Sequence, residues 1–269
     1  MDTAVSVIIP TYNRESGVVR SVQSVLEQSH TDFELLVIDD ASTDHTREAV
    51  AQIKDPRLRY YRLENNNGAA GARNAGVQYA RHPLLAFLDS GDTWKPDKLE
   101  RQIYYREKNP SFKMVYTRFA SHKEDGITYC PWDGIEGRLE GSLYRDLLLR
   151  NTIGPPTMMV DKDSFLECGG FNESYRCNED WDFVIRFSMR FPIGYINEAL
   201  TDVYPEQGSV SSNVEEFFRV RKLIIKEHEQ AIRQYDILED VLADLIYRTR
   251  NAGRGDVEAE LMKYFYGVE

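Results

Sequence analysis

The chain has 269 residues, 42% of them hydrophobic and 12% aromatic, and a formal charge of −11. That length and apolar content suit one large domain or a domain with an appendage, and they exclude global disorder. The acidic balance excludes a general nucleic-acid binder, which needs a basic face, but not an anionic small molecule held by a few local cations or a metal.

In chain order, "AVSVIIP" (4–10) is a short, nearly continuous apolar run, the pattern of a strand buried on both faces. "GVVRSVQSVLEQSH" (17–30) places Val18, Val22, Val25 and Leu26 at helical spacing. "FELLVIDDAS" (33–42) is a second buried strand ending in two acids, and Ser42 or Thr43 is the expected cap of the helix that follows. "LRYYRLE" (58–64) is a third strand, "NNNGAAGARNAGVQYA" (65–80) a polar loop entering a small-residue helix, and "LLAFLDS" (84–90) a fourth strand. Strands alternating with helices at this spacing predict an α/β fold: a mainly parallel, Rossmann-like sheet flanked by helices, with ligands beyond the carboxyl ends of its strands.

After about residue 105 the pattern is irregular. "KMVYTRFASHKEDGITYCPW" reads as two strands around a turn, and "SLYRDLLLRNTIGPPTMMVDKDSFLECGGF" as a helix, a Gly-Pro-Pro loop, a strand and a Gly-Gly turn. "NEDWDFVIRFSMRF" predicts a helix with Asn178 as cap and a stripe of Trp181, Val184, Ile185 and Met189. From Val214 the chain is predicted helical, with Ile237, Leu238, Val241, Leu242, Leu245 and Ile246 forming a stripe that packs on the main domain or, alternatively, forms a homodimer interface. The pattern divides the chain into 1–105, the irregular 106–213 of the same domain, and 214–269 as a helical C-terminal extension.

The acids gather where such a sheet binds ligands: Asp39 and Asp40 after one strand, Asp89 and Asp92 after another. Either pair alone is ordinary turn or cap sequence. Converging on one sheet edge, one carboxylate can accept from a base N–H and another can hold a divalent metal. "NGAAGARNAG" has neither the dinucleotide nor the P-loop pattern; it reads as a tightly packed Ala/Gly helix in which Arg73 is the one cation, free to reach phosphate or solvent. Glu179 and Asp180 complement a helix N-terminus, or Asp180 is a general base. His30, His45, His82, His122 and His228 have no ligand spacing, and the cysteines Cys130, Cys168 and Cys177 have no pairing pattern; a reducing compartment fits. No leader or membrane-length window is visible, so the expectation is a cytoplasmic chain without a transmembrane segment, at most peripheral to the inner face of a membrane.

Taken in order, "SVIIPTYNR", "SVLEQSHTDFELLVIDDASTDHT", "NNGAAGARNAG", "AFLDSGDTWKPDKL" and "GGFNESYRCNEDWDFVIR" resemble the inverting family 2 glycosyltransferases with the GT-A fold, over residues 4 to about 190. The resemblance implies a nucleotide-sugar donor, with a UDP-sugar expected, and a glycan, lipid-linked or other hydroxyl acceptor in glycan synthesis; it makes 1–105 the nucleotide-sugar-binding half and 106–213 the acceptor and catalytic half of the same domain. It places Pro10 and Tyr12 at the donor, Tyr12 stacking on the base and Asp40 accepting from the base ring. Arg73 and Asn74 lie near the donor, Asp89 and Asp92 in the segment holding ribose and the metal-bound diphosphate, and Asp180 at the position of the catalytic base. Trp94, Pro96 and Leu99 match structural positions, and "NTIGPP" and "GGF" fall on the acceptor side. Inverting transfer is one in-line displacement: a carboxylate deprotonates the acceptor hydroxyl while Mn²⁺ or Mg²⁺ offsets charge on the leaving diphosphate. The chain departs from the family at Gly91, where an acid credited with direct metal contact usually stands. Glycine backbone freedom there can swing Asp92 toward the diphosphate. The competing readings are a catalytically degenerate donor-binding or assembly module, which Gly91 favours and Asp180 opposes, and a sugar-1-phosphate nucleotidyltransferase, which "PTYNR" opposes.

Overall fold

In the computed structural model, which describes residues 3–123, 126–131, 137–204 and 214–267, the first apolar run forms strand β1 (Val5–Thr11), buried at every position. Burial on both faces is why the run does not alternate. Strands β2 (Phe33–Asp39), β3 (Leu58–Arg62) and β4 (Leu84–Phe87) pair in the order β3-β2-β1-β4, all parallel. Helices α1 (Glu15–Leu26), α2 (Thr46–Ala51) and α3 (Gly68–Tyr79) make the crossovers. The sheet grows in both directions from β1, so a crevice opens beyond the carboxyl ends of β1 and β4. The β1–β4 ladder ends at Ile8 opposite Phe87, where Leu88 donates its N–H to the Ile8 carbonyl. Neighbours alternate along a strand, so Pro10 turns its missing N–H to the β4 side past the last paired residue, where no ladder bond is lost.

The second half adds β5 (Thr93–Trp94), α4 (Lys98–Lys108), β6 (Met114–Lys123), β7 (Gly126–Cys130), α5 (Tyr144–Leu149), β8 (Met158–Asp161), α6 (Lys162–Glu167), α7 (Glu179–Ser188) and β9 (Ile193–Val203). Strand β8 runs antiparallel to both β4 and β6, β6 runs parallel to β9, and β5 closes antiparallel on β9. The parallel pairing therefore holds across β3-β2-β1-β4 and returns at β6/β9, with an antiparallel strand between. Strands β6 and β7 are the expected hairpin pair; residues 124, 125 and 132 of that segment lie outside the described residues. Strand β9 has no counterpart in the sequence reading, because its outward and inward residues do not alternate cleanly. It matters, since it ties β5, just after the Asp89–Asp92 turn, to the second half.

Two apolar cores line the sheet. Val18, Val22 and Val25 of α1 pack with Val5, Val7, Leu99 and Trp94 on one face. On the other, Ile8, Ile38 and Phe87 meet Phe165, Phe171, Trp181 and Phe183. Helix α3 seats tightly there, since a Cβ added at Gly76 would lie 2.5 Å from Ile8. Helices α8 (Val214–Glu227), α9 (Glu229–Gln234), α10 (Leu238–Asn251) and α11 (Gly255–Tyr266) continue the same core through Val220, Ile224, Leu242 and Leu245. Each such buried side chain contributes about 1.5–3 kcal/mol. Arg221 of α8 stacks 4.5 Å over Trp181 and pairs with Asp244 at 2.6 Å, so the C-terminal helices rest on the helix that begins at Glu179. No described helix is long and apolar enough to cross a membrane.

Two caps differ from expectation. Helix α2 starts after His45, and Asp44 rather than Ser42 or Thr43 accepts from the Thr46 N–H. The Ser42 hydroxyl instead accepts from the Asn13 N–H, stitching the loops after β1 and β2. Asn178 precedes α7 but adopts a left-handed backbone (φ 55°) and makes no side-chain cap bond.

Candidate active site

The loop after β1 carries Tyr12, 46% exposed at the mouth of the crevice. Asn13 holds it to the β2 loop by accepting from the Thr43 N–H at 2.7 Å. Asp39 is buried and accepts from the Ser42 N–H and the Tyr60 hydroxyl, so it organises its own loop. Asp40 takes the N–H groups of Asn67 and Gly68 at 2.7 and 2.8 Å, one on each carboxylate oxygen. It thus caps α3 from the end of β2. Burial raises its pKa, against the two backbone bonds that lower it. The helix start that Asp40 serves is that of α3, not of the helix directly after β2.

The turn after β4 is built on Gly91. Its φ of 117° lies where only glycine is relaxed. Its N–H donates to the Ser21 hydroxyl at 2.8 Å, and its carbonyl accepts from the Arg20 guanidinium. Ser21 also donates to the Asp92 carbonyl at 2.7 Å. Asp92 is 7% exposed, and its Oδ1 accepts from the Tyr204 N–H. The glycine therefore shapes the turn as expected, but Asp92 turns into the fold; Asp89, with its side chain 39% exposed, is the acid that fronts the crevice.

Arg73 is neither solvated nor free for phosphate. It is buried and bridges Asp89 at 2.6 Å and Glu179 at 2.7 Å. Burial alone would lower its pKa; the two carboxylates outweigh that and hold it charged. Its Nε has no partner among the described residues. Asn74 faces another way: its amide donates to the Phe171 carbonyl and Glu173 and accepts from the Phe171 N–H, which clamps the "GGF" loop rather than the donor crevice.

Asp180 sits one residue into α7 and is partly exposed. Its Oδ1 accepts from the Trp181 N–H at 2.8 Å and its Oδ2 from the Asn151 side-chain amide at 2.9 Å. Enclosure by protein, and then the neighbouring Glu179 carboxylate, push its pKa up to about 7, against the Trp181 bond, Arg73 and Asn151. A carboxyl poised there can take a proton from a hydroxyl near neutral pH. Arg73 thus links, through Glu179, the helix of Asp180 to the acid at the end of β4.

Sequence reading did not identify Glu179, Asn151, Ser21 or Arg20. Glu179 carried a signal, being adjacent to Asp180, but its partner lies on α3. The other three act across gaps that no local pattern encodes. His122 and His228 are structural, contacting Asp202 and Tyr144.

The comparisons agree with this architecture. The family model described as Glycosyl transferase family 2 matches residues 6–160. A relative in Escherichia coli, UDP-Glc:alpha-D-GlcNAc-diphosphoundecaprenol beta-1,3-glucosyltransferase WfgD, is 46% identical over 249 residues, covering 92% of this chain and 90% of its own. An uncharacterized glycosyltransferase of Rickettsia felis is 37% identical over 204 residues, covering 75% of this chain, which spans only 33% of that relative's length. The crystal structure of S. aureus TarS 1-349 superposes with a TM-score of 0.71 at 22% identity, over 93% of this chain and 74% of that one, and shares its GT-A fold. The parallel crossovers around β1, the acids at their carboxyl ends and the family match together show that this chain belongs to glycosyl transferase family 2.

Proposed function

We propose that the chain moves a sugar from a UDP-sugar to a hydroxyl of a lipid-linked glycan acceptor by a single displacement with inversion, with Asp180 as general base. The observation that carries the reading is the Asp180 carboxyl, fixed by two hydrogen bonds at the crevice edge with a pKa near neutrality. The relative WfgD supports the choice of UDP-glucose and a GlcNAc-diphospholipid as the first pair to test. Its name describes a β product, which an α-linked donor gives by inversion.

In this reading Asp180 removes the acceptor proton as the sugar leaves the diphosphate. Tyr12 offers an exposed ring for base stacking, and Asp40 a buried carboxylate with remaining lone pairs for the base N–H. Around Arg73 stand Asp89, Glu179 and Asp180, an excess of negative charge that a diphosphate would increase. Among the described residues no group of three or more Asp, Glu, His or Cys side chains is arranged to hold a metal by itself, so a divalent cation would be taken up together with the diphosphate. Asp89 would hold it with diphosphate oxygens and water, as Mn²⁺ and Mg²⁺ accept when protein carboxylates are few, and Asp92 would support the turn from behind. Bound there, the cation would offset the leaving group's charge. Gly91 in a built turn, held by Arg20 and Ser21, speaks for a specialised site over a degenerate one.

The test is transfer from UDP-glucose to a synthetic GlcNAc-diphospholipid, with product anomer read by NMR, with and without EDTA. A β-linked product that needs Mn²⁺ or Mg²⁺ is expected. No transfer with any UDP-sugar would overturn the reading; full activity under chelation would remove the cation from it.

A further inference from the structure

We infer that Asn151 is a positioning residue for the base: its side-chain amide holds the Asp180 carboxylate in the orientation that faces the acceptor. The inference rests on Asp180 being the base. Three observations carry it. First, the Asn151 amide has a defined direction, since its Oδ1 accepts from the Ile153 N–H at 3.1 Å, leaving Nδ2 to donate to Asp180 Oδ2 at 2.9 Å. Second, its backbone is anchored to the same helix: Leu147 and Leu148 of α5 are buried, and the Leu147 carbonyl accepts from the Trp181 indole at 2.6 Å. The residue after Asp180 thus fixes the segment that supplies Asn151. Third, Asn151 opens the loop running to Pro155 and Pro156, and the Pro156 carbonyl accepts from the Trp94 indole at 2.8 Å, so the segment that braces the base is itself fixed to the chain just after the Asp89–Asp92 turn.

The bond also weighs on the proton. A donor to the carboxylate favours its charged form, so Asn151 opposes the enclosure and the Glu179 charge that raise Asp180. The other charged or titratable groups facing Asp180 are Arg73 from α3, Arg221 from α8 and Cys177 just before α7. None of them is altered by a change at Asn151.

The experiment is the pH profile of kcat, with KM for UDP-glucose and for the GlcNAc-diphospholipid, in Asn151→Asp and Asn151→Ala, beside Asp180→Asn. Asn151→Asp keeps an acceptor for the Ile153 N–H, preserving the turn, and replaces the donor with a like charge. Its acidic limb should move up by about one pH unit, a loss of about eightfold at pH 6.5 that shrinks to about twofold at pH 8. Asn151→Ala should move it less, in the same direction, with KM for UDP-glucose within about twofold of wild type. Loss of activity at every pH with an unmoved limb, or a rise in acceptor KM alone, would overturn the inference and make Asn151 a structural or acceptor-binding residue. Failure of the base assignment is distinguishable, because Asp180→Asn would then retain transfer.

Discussion

The two banks of the crevice use aspartate differently. On the bank built by β1, β2 and β4, Asp39, Asp40 and Asp92 each accept backbone N–H groups that fix a turn, a helix start or the chain after β9. On the bank built by α5 and α7, Asp180 also accepts two hydrogen bonds, but enclosure by protein and then the neighbouring Glu179 push its pKa up to about 7. The lesson is that a carboxylate's duty is set first by how far protein encloses it and next by its neighbours' charges, more than by the number of its hydrogen bonds. The first bank shapes the site; the second holds a group able to exchange a proton.

The sharpest way to break that contrast is Asp180→Asn. Losing a general base lowers rate by about 10² to 10⁴, so transfer should fall by that factor with donor affinity retained. Stability should move the other way. Asp180 binds its proton more tightly folded than unfolded, where the pKa is about 3.9. Between about pH 4 and 7 the folded state holds a proton that the unfolded state has released, so stability declines with rising pH and levels off above 7. The asparagine variant lacks that decline and should be the more stable protein at pH 8, by on the order of 1 kcal/mol, in urea titrations at pH 5 and 8. Near-normal transfer, or equal destabilisation at both pH values, would place Asp180 with the shaping aspartates.

Arg73→Met tests the link between the banks. It leaves Glu179 buried without its cation, and breaking a buried pair typically destabilises by about 3–5 kcal/mol. The Asp89 arm, more than a third exposed, adds little. We expect a loss near the lower figure, about 3 kcal/mol, by chemical denaturation. A loss under about 1 kcal/mol would mean that the banks are held together by apolar packing alone.

Gly91→Asp places in this turn the acid that the sequence resemblance leads one to expect there. A non-glycine residue at φ 117° is strained by about 1–3 kcal/mol, and the turn is fixed at both ends by Ser21 and Arg20. The expected outcome is a less stable protein with no gain in Mn²⁺ affinity in the presence of UDP. Tighter Mn²⁺ binding at unchanged stability would show that the turn can relax and that a glycine there is incidental.

The difference between the banks also explains what the sequence made legible. The βαβ half was readable because its signals are local: continuous apolar runs for β1, β2 and β4, helical spacing in α1, acids at strand ends. The helix start that carries Asp180 and the turn at Gly91 were legible as motifs. What stayed hidden was nonlocal. Arg73 reads as a solvated or phosphate-seeking cation until Glu179, 106 residues away, closes on it. Asp92 reads as a free ligand until Tyr204, 112 residues away, donates to it. Asn151 opens the "NTIGPP" stretch expected on the acceptor side, but nothing there singles it out as the partner of Asp180, 29 residues away. Strand β9 escaped because one part faces the core and another faces α4 and solvent, which blurs its period.

The smallest expected effect is the most informative about the shaping bank. Asp40→Ala removes the acceptor for two N–H groups at the start of α3, and losing such a cap destabilises by about 0.5–2 kcal/mol. Asp40 is almost fully enclosed, so the orphaned Asn67 and Gly68 N–H groups regain only what water can reach, and a value near 1 kcal/mol is expected. Asp40→Asn separates the two duties. Its side-chain oxygen still accepts one helix N–H, so stability should largely recover, while the amide meets a base N–H with a donor or with a weaker neutral acceptor. Calorimetry with UDP on both variants completes the test. If Asp40 reaches the base, both bind UDP more weakly, by about 1.5–3 kcal/mol for a charge-assisted bond. If it is a cap alone, Asp40→Asn binds UDP like wild type and only Asp40→Ala suffers, in proportion to its lost stability. That second outcome would leave Tyr12 and the loops stitched by Asn13 and Ser42 as the base-binding elements, and would make every aspartate of the first bank except Asp89 a purely architectural residue.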